Sequence, residues 1–241
     1  MTYKPKWWWT YMMNYGNNDF DKLFKKPMKV LIACEESQAV TKAFRELGHE
    51  AFSCDLLPCS GGHPEWHYQQ DVFEVINKGW DLMIAHPPCT FLSVSGARWL
   101  YNKDGSINEE RYSNQKEALD FVQALMDANI PSIAIENPIS VISSAIRKPD
   151  QIIQPYMFGD SASKSTCLWL KNLPKLEPTN IVSKGEFFEF KDRKTGKLKK
   201  QPMWYYQALQ QAKTAAERRT LRSKTFKGIA DAMAMQWGGK L

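Results

Sequence analysis

Two short polar stretches hold the residue types best suited to chemistry, and each follows an apolar run. In the first, His86-Pro87-Pro88-Cys89 follows the apolar residues 80–85. Each proline fixes its own φ and restricts the residue before it, so the thiol lies on a stiff turn. In the second, Glu136-Asn137-Pro138 follows the apolar residues 133–135. An open α/β sheet places its chemistry at the carboxyl ends of its strands, so these stretches predict one site with a thiol and a carboxyl group.

Cys89 also has a plainer interpretation. Free cysteine is among the most buried residue types, and a small buried thiol behind a Pro-Pro turn would look the same in the sequence. For a cysteine taken alone, that interpretation is the better one. The second strand end, with Glu136, Asn137 and Pro138, favours the functional interpretation.

The elements that must position this site begin with a strand, a helix and a strand. Residues 29–34 and 51–55 predict strands, and residues 39–47 place their apolar side chains on one helical face. The second strand ends in Asp55, about twenty positions after the first turn, where an acid can accept hydrogen bonds from ribose hydroxyls. The turn at residues 34–38 contains no glycine. The free N–H groups of the helix that follows it still predict a place for a carboxylate.

Further along the chain, the pattern predicts a lid, two helices and a hairpin. Residues 101–114 are polar and predict a long loop beside Cys89, and long loops in compact domains often act as lids. Residues 115–129 predict a helix that leads into the strand before Glu136, and residues 167–170 predict another strand. Beyond these, we expect a hairpin that turns at Thr195-Gly196 and a helix over residues 206–222.

Composition limits the class of protein. The chain of 241 residues is long enough for one sizeable α/β core with a small appendage. No apolar run approaches the length of a membrane span, and the N-terminus lacks the apolar core of a signal peptide, so we expect a cytoplasmic protein. The five cysteines are odd in number and scattered, and the histidines show no zinc spacing, which predicts reduced thiols and no metal.

Charge is distributed unevenly along the chain. Residues 184–224 hold twelve Lys and Arg against four Asp and Glu, whereas the net charge of the whole chain is +6. The segment therefore carries +8 and the rest of the chain −2. A basic segment on a nearly neutral body suggests a polyanion partner, although a solvated surface insert is the commoner fate of a charge run.

The two strand ends together resemble the DNA cytosine-C5 methyltransferases, and in particular a short, phage-type member of that family. The family carries a Pro-Cys nucleophile loop after one strand, matched by Pro88-Cys89, and a Glu-Asn pair after the next, matched by Glu136-Asn137. Gly228-Ile229 matches its last motif, without the usual asparagine. The resemblance implies a Rossmann-like α/β fold of the S-adenosylmethionine-dependent methyltransferases, a three-layer sandwich with a small basic insert. It also implies DNA as partner and a role in DNA modification or restriction–modification.

The resemblance also implies roles for individual residues. Cys89 would be the nucleophile, Glu136 would hold the target base, and Asn137 would fix the loop that positions Glu136. Lys164 stands where larger members have arginines that contact the base, and a solvent-exposed turn lysine is the alternative. The family's adenine-binding acid falls on Asp71, for which a helix N-cap is an equal alternative. The residues expected to bind the methyl donor are Cys34, Glu35, Ser37, Asp55, Leu56, Asp71, Val72 and Pro87. Those expected to contact DNA are Arg98, Arg218, Arg219 and Arg222.

These expectations divide the chain into four parts. Residues 1–27 would be an aromatic and basic arm, which could stack on bases but more simply packs its rings on the domain. Residues 28–170 would be the catalytic core, residues 171–224 the basic insert in place of a target-recognition domain, and residues 225–241 a helix that returns to the core.

Three alternatives to this function remain open on the sequence. His86-Pro87-Pro88-Cys89 also looks like the Asp/Asn-Pro-Pro-aromatic loop of amino methyltransferases, which act on N6 of adenine or N4 of cytosine. The missing aromatic residue and the presence of Glu136-Asn137 count against this. The altered turn after the first strand leaves room for a modified donor. A DNA-binding protein that keeps the fold without activity is the non-enzymatic alternative.

Overall fold

The computed structural model describes residues 26–223 and 225–239, without the side chains of residues 215, 216, 219 and 220. Most of the arm predicted at residues 1–27 therefore lies outside the described residues, as does the side chain of Arg219. Among the described residues, no helix combines the length and the apolar character needed to cross a membrane.

A seven-stranded sheet forms the centre of the described chain. Its strands are β1 (Lys29–Ala33), β2 (Glu50–Asp55), β3 (His67–Gln69), β4 (Leu82–Ala85), β5 (Ser132–Pro138), β6 (Gln151–Ile153) and β7 (Thr166–Lys171). They are arranged in the order β3-β2-β1-β4-β5-β7-β6. The pairs from β3 to β5 are parallel, and β7 is antiparallel to both β5 and β6. The order reverses between β1 and β4, which is the switch point where open α/β sheets bind ligands.

Helices cover both faces of the sheet. The helices of the described residues are α1 (Ala39–Glu46), α2 (Glu109–Met126), α3 (Ile142–Ala145), α4 (Met203–Gln211), α5 (Ala215–Ser223) and α6 (Lys227–Met233), which continues into a wider turn at Ala234–Gly238. Of these, α1 and α6 cover one face of the sheet, and α2 and α3 cover the other. Val30 and Ile32 of β1 pack in a cluster with α1 and α6, whereas Leu31 and Ala33 pack in a second cluster with α2. Successive side chains of a strand point to opposite faces, so both faces of β1 are buried. The predicted Rossmann-like, three-layer α/β fold is confirmed.

The helix before β5 begins earlier than predicted. It starts at Glu109, because the Asn108 side chain accepts a hydrogen bond from the N–H of Arg111 at 3.0 Å and caps the helix. Glu109 and Glu110 in the first turn complement the helix dipole. The predicted loop at residues 101–114 is therefore partly wrong. Its first part is a short connection after the tight helical segment Val94–Leu100, and its last part is helical.

The predicted helix over residues 206–222 is two helices, α4 and α5. Thr214 accepts a hydrogen bond from the N–H of Glu217 at 3.1 Å, while the Glu217 carboxylate accepts from the N–H groups of Lys213 and Thr214. This reciprocal capping starts a new helix, and the Thr-x-x-Glu spacing that signals it is present in the sequence. The predicted hairpin is confirmed as β8 (Phe187–Lys191) and β9 (Leu198–Pro202).

The C-terminal helix α6 packs closely on the segment that leads into β7. A Cβ atom at Gly228 would collide with the backbone oxygen of Phe158, so no larger residue fits there without a shift. The N–H of Gly228 donates to the Asp160 carboxylate at 2.9 Å. Ile229 and Met233 are buried beside Val40 and Phe44 of α1. Helix α6 is thereby packed against the helix that follows β1.

Candidate active site

The carboxyl ends of β4 and β5 bring the two predicted stretches together. The strands are parallel neighbours, with Ala85 opposite Ile135, so the residues that follow them, His86 and Glu136, are adjacent. His86 Nδ1 lies 3.2 Å from Glu136 Oε2, and both side chains are mostly buried. Cys89 follows three residues after His86, on the turn formed by Pro87 and Pro88.

Asn137 anchors the turn that carries Cys89. Its side-chain amide donates to the carbonyl oxygen of Pro87 at 2.8 Å, and the residue is buried. The carbonyl of Cys89 in turn accepts from the N–H groups of Leu92 and Ser93, which closes a tight turn after the thiol. Asn137 therefore holds the turn that carries Cys89. The sequence predicted only that Asn137 fixes the loop that positions Glu136. Pro87, which was predicted to contact the methyl donor, thus accepts a hydrogen bond from Asn137 at its carbonyl oxygen.

Charges from three elements act on Cys89. Burial raises the pKa of the Cys89 thiol, and the negative charge of Glu136 raises it further. Lys164, from the connection between β6 and β7, and Arg222, from α5, lower the pKa in opposition to these effects. The net pKa is raised, so the free protein holds mostly the thiol. The two predicted cations lie close enough to stabilise a thiolate when it forms.

His86 and Glu136 influence each other strongly. Burial by itself would raise the pKa of Glu136, but the hydrogen bond from His86, the charge of Lys164 and a hydrogen bond with Thr166 lower it below its usual range. Burial likewise opposes the charge on His86, yet its hydrogen bond with Glu136 raises the pKa of His86 above its usual value. The pair therefore favours an imidazolium beside a carboxylate.

Neither His86 nor Thr166 was among the predicted catalytic residues. In the sequence, His86 was considered only as part of an alternative motif, and Thr166 precedes the strand predicted at residues 167–170. Thr166 lies opposite Pro138 on β7, and His86 is at the end of β4 beside β5. Strand order makes both of them neighbours of Glu136. The sequence signal for His86 was a titratable residue directly before the Pro-Pro turn.

Three buried polar atoms at this edge have no hydrogen-bond partner among the described residues. They are His86 Nε2, Asn137 Oδ1 and Ser140 Oγ. His86 follows β4, Asn137 lies near the end of β5, and Ser140 follows β5. Leaving a buried polar group unsatisfied costs about 1–3 kcal/mol, so such a group in a folded protein needs an explanation. Their concentration around Cys89 and Glu136 marks this edge as the candidate site.

The turn after β1 corrects one prediction about donor binding. The Glu35 carboxylate is buried and accepts from the N–H groups of Val40 and Thr41 at 2.7 and 3.2 Å, and from the Thr41 hydroxyl at 2.8 Å. The chain's own acid therefore occupies the start of α1. The sequence predicted that the N–H groups at the start of α1 are free to hold a ligand carboxylate. In the structure, Glu35, itself expected to bind the donor, accepts hydrogen bonds from the N–H groups of Val40 and Thr41.

Gln38 fastens this turn to the loop that follows β2. It is fully buried with a left-handed backbone, φ 57°, and its side-chain oxygen accepts from the N–H of His63 at 3.1 Å. The side-chain amide nitrogen of Gln38 donates to the carbonyl oxygen of His63 at 2.8 Å. A Cβ atom at Gly61 would lie 2.5 Å from that of Gln38, so the loop needs glycine at this contact. Cys34, also left-handed at φ 59°, and the half-buried Ser37 complete a turn that is packed from both sides.

The two acids proposed to bind the donor lie at the same edge. Asp55 and Asp71 both contribute, after burial, to the raised pKa of the Cys34 thiol at the end of β1. Asp55 Oδ1 accepts from the N–H of Leu57, and Asp71 Oδ1 accepts from that of Phe73. Asp71 thus serves as the N-cap that the sequence offered as its alternative role. Of the neighbouring candidates, Leu56 is 72% exposed and Val72 is buried.

The predicted DNA contacts are placed unequally. The guanidinium of Arg222 lies 4.4 Å from the ring of Tyr205 and close to Cys89, and Arg218 is exposed on the same helix. Arg98 lies over the ring of Trp99 at 4.6 Å, in the segment after the Cys89 turn. The structure therefore brings Arg222 to the site and leaves Arg218 and Arg98 on the surface.

Sheet order and site define a Rossmann-like α/β protein with a thiol and a carboxyl group at its carboxyl edge. No protein-family model matches the chain, and no curated protein matches it in sequence. Among solved structures it is similar to the S. pombe Dnmt2 methyltransferase, with 14% identity and a TM-score of 0.41 over 62% of this chain and 51% of that one. A mutant of Spodoptera frugiperda DNMT2 gives 15% identity and a TM-score of 0.39 over 65% and 54%. Each match spans about half of the Dnmt2 chain.

Proposed function

We propose that the protein is an S-adenosylmethionine-dependent methyltransferase that acts on C5 of cytosine in DNA through a covalent bond between Cys89 and C6. The observation that carries this proposal is the joined pair of strand ends. Asn137 ties the turn of Cys89 to β5 at 2.8 Å, and the same strand presents Glu136. A nucleophile and an acid–base group are thereby held against each other by backbone and buried side chains.

The chain's own residues account for the first step. C5 of cytosine is too weak a nucleophile, and addition at C6 makes it stronger. The Cys89 thiol loses its proton to water, and its sulfur forms a bond to C6. The electron pair of the C5–C6 double bond moves toward C4, and that of the C4–N3 bond moves to N3, which takes a proton from the Glu136 side. Lys164 and Arg222 favour the thiolate from which this step starts.

The remaining steps return the enzyme to its starting state. A donor held beside this site would supply the methyl group, and C5 would take it with its new electron density. The methyl–sulfur bond of the donor would break with its electron pair on sulfur, leaving S-adenosylhomocysteine. A base, for which water suffices, then removes the C5 proton. The C5–C6 double bond reforms, the bond between Cys89 and C6 breaks with its electrons on sulfur, and N3 returns its proton to Glu136.

The donor would lie at the switch point beside the end of β1. The residues that fit its ribose and adenine are Asp55 and Asp71, since each carboxylate is held in place by a backbone N–H of its own turn. The start of α1 does not fit its carboxylate, because Glu35 already occupies those N–H groups. The amino-acid end of the donor must therefore be held elsewhere. This difference keeps a modified donor open as an alternative.

The basic segment supports DNA as the substrate. Its excess of +8 includes Arg222, which lies at the site together with Lys164. Counter-ion release on phosphate contact favours binding. A polar cleft of about 330 Å³ is lined by Ser163 and Ser165, which flank Lys164 in the chain, and by Gln154, Tyr156, Lys184 and Pro202. C6 is hidden in a stacked duplex, so the target base must leave the stack, at a cost of a few kcal/mol.

Trapping tests the proposal directly. DNA that carries 5-fluorocytosine cannot lose fluorine as a cation, so the last step stops and the Cys89–C6 bond persists. We expect wild-type protein with S-adenosylmethionine to form a complex that survives denaturing electrophoresis. The Cys89→Ser variant should form none, because a hydroxyl is a much weaker nucleophile than a thiolate.

Cys59→Ser is the matched control, since Cys59 is partly exposed on the loop after β2 and the mechanism does not use it. It should form the trapped complex as the wild type does. Digestion of unmodified DNA after reaction with labelled donor, followed by mass analysis of nucleosides, identifies the product. Methylation of an exocyclic amine without any trapped complex would overturn the C5 mechanism in favour of an amino methyltransferase.

A further inference from the structure

His86 and Glu136 form a buried ion pair at the active site. Their atoms are 3.2 Å apart, with 11% and 16% of the two side chains exposed. A second pair, His63 with Glu65, has nearly the same distance, 3.1 Å, but its side chains are 41% and 59% exposed. Water screens the second pair and not the first. The two pairs therefore offer the same chemistry in two environments within one chain.

The second ring nitrogen of His86 makes the buried pair unusual. Nε2 is buried without a hydrogen-bond partner among the described residues, while Nδ1 faces Glu136. A histidine that served only to fill this place would leave that polar atom unsatisfied at a cost of about 1–3 kcal/mol. Apolar residues of similar size would avoid the cost. Its presence beside the catalytic carboxylate points to a chemical role.

Charged groups from several elements face His86. Glu136 comes from β5, Glu35 from the turn after β1 and Lys164 from the connection between β6 and β7. The two acids favour the imidazolium and Lys164 opposes it, and Cys89 lies on the same loop as His86. In the proposed mechanism Glu136 gives a proton to N3, but the surroundings of Glu136 lower its pKa and so favour its ionised form. A proton must therefore be held next to it.

We infer that His86 and Glu136 work as one unit that holds a single proton, with His86 as the positioning residue that stores it for Glu136. The inference rests on the proposed function and adds the source of the proton. As sulfur bonds to C6, the proton on His86 Nδ1 moves to the Glu136 carboxylate, and Glu136 passes that proton on to N3. The net transfer is one proton from His86 to the base. When N3 releases it after methylation, the proton returns by the same route.

Nuclear magnetic resonance tests the unit without any substrate. The chain has four histidines, and the signal of His86 is the one lost in His86→Gln. We expect the ring of His86 to titrate above the ordinary value of about 6.5 in the wild type and to shift downward in Glu136→Gln. His63 should not respond to that substitution. A His86 titration that is the same with and without the Glu136 carboxylate would overturn the inference.

The pH dependence of trapping tests the function of the unit. Without His86, Glu136 alone supplies the proton, and its protonated fraction falls about tenfold per pH unit above its own pKa. The ratio of wild-type to His86→Gln trapping rates should therefore rise with pH and level off above the raised pKa of His86. Using the ratio cancels the ionisation of Cys89, which both proteins share. His63→Gln should give a ratio near one at every pH.

The outcomes separate this inference from the proposed function. Absence of any trapped complex in the wild type counts against the C5 mechanism itself. A wild type that is trapped, with His86→Gln slower by the same factor at every pH, overturns the proton unit, because a purely structural role of His86 has no pH signature. Affinities of His86→Gln for donor and DNA should match those of the wild type.

Discussion

The turns that follow β1 and β4 begin at the same edge of the sheet but are built in opposite ways. The strands are parallel neighbours, with Ala33 opposite Ala85. After β1, the buried acid Glu35 and the buried amide Gln38 have their hydrogen bonds inside the protein. After β4, His86 Nε2 is buried and has no hydrogen-bond partner among the described residues. The same holds for Oδ1 of Asn137, which lies at the end of β5.

This contrast between the two turns separates groups that stabilise the fold from groups that are available for chemistry, at one edge of the sheet. A buried polar group that is satisfied by its own chain stabilises the fold and has nothing left for a ligand. A buried polar group that is not satisfied lowers stability and is available for chemistry. The turn after β1 would be glycine-rich in the family that the sequence resembles, and here it carries a structural acid. The loop after β4 and the end of β5 keep the reactive groups.

The largest effect on stability should come from the turn after β1. We expect Glu35→Gln to lower the free energy of unfolding by about 1–3 kcal/mol, because the amide has one acceptor oxygen for three donors that now share a carboxylate. Urea denaturation measures the change. Glu46→Gln, on the exposed face of α1, should change it by less than about 0.5 kcal/mol.

Cys89→Ala provides the other half of this comparison. It should remove trapping completely while leaving the unfolding free energy within about 1 kcal/mol of the wild type, because Cys89 is partly exposed and its side chain is small. Equal destabilisation by Glu35→Gln and Cys89→Ala would contradict the division between a structural turn and a reactive one.

A smaller effect should appear in the pH dependence of stability. The pKa of His86 is raised on folding, so its pairing contributes fully below the ordinary value of about 6.5 and is lost as the pH rises through the raised value. The pKa of Glu136 is lowered, so its contribution is present above about 4.3 and is lost as the pH falls through the lowered value. The stability difference between wild type and His86→Gln should therefore be greatest between these limits.

Denaturation of both proteins across a pH series checks this expectation. The exposed pair provides the control, since His63→Gln removes a screened interaction that contributes little. The difference in unfolding free energy between wild type and His86→Gln should change with pH. If it stays constant from about pH 4 to about pH 9, the ionisation of His86 and Glu136 is not linked to folding.

The smallest expected effect concerns two arginines of α5, of which Arg222 lies close to Cys89 and Arg218 is exposed on the surface. If Arg218 and Arg222 bind phosphates, replacing both with glutamine should reduce the slope of log affinity against log salt by about 0.9 for each phosphate that is no longer neutralised. Fluorescence anisotropy with labelled DNA measures the slope. Arg147→Gln is the control, because Arg147 pairs with Asp150 at 2.8 Å. An unchanged slope in the double variant would assign both arginines to the solvated surface.

Local sequence patterns predicted β1, β2, β4, β5, β7 and the hairpin, but not the three-residue strands β3 and β6 or the short helix α3. Two further errors, in the helices, have local causes. The start of α2 was missed because the cap at Asn108 and the acids after it also suit a polar loop. The break between α4 and α5 was missed because the Thr214-x-x-Glu217 capping box lies within a run of helix-forming residues. Both signals are short-range hydrogen bonds that the sequence does contain, so capping rules are sufficient to find them.

The sequence by itself determined the alternation of strands and helices, the basic segment, and the pairing of a Pro-Pro-Cys turn with a Glu-Asn strand end. These follow from periodicity, proline geometry and residue chemistry, which act over a few positions. Only the tertiary structure decided that His86 faces Glu136 from 50 positions away and that Lys164 and Arg222 reach Cys89. It also decided that Glu35 turns inward to cap α1. Strand order and burial set these contacts, because the charge and reactivity of a side chain depend on neighbours that the chain brings together only when it folds.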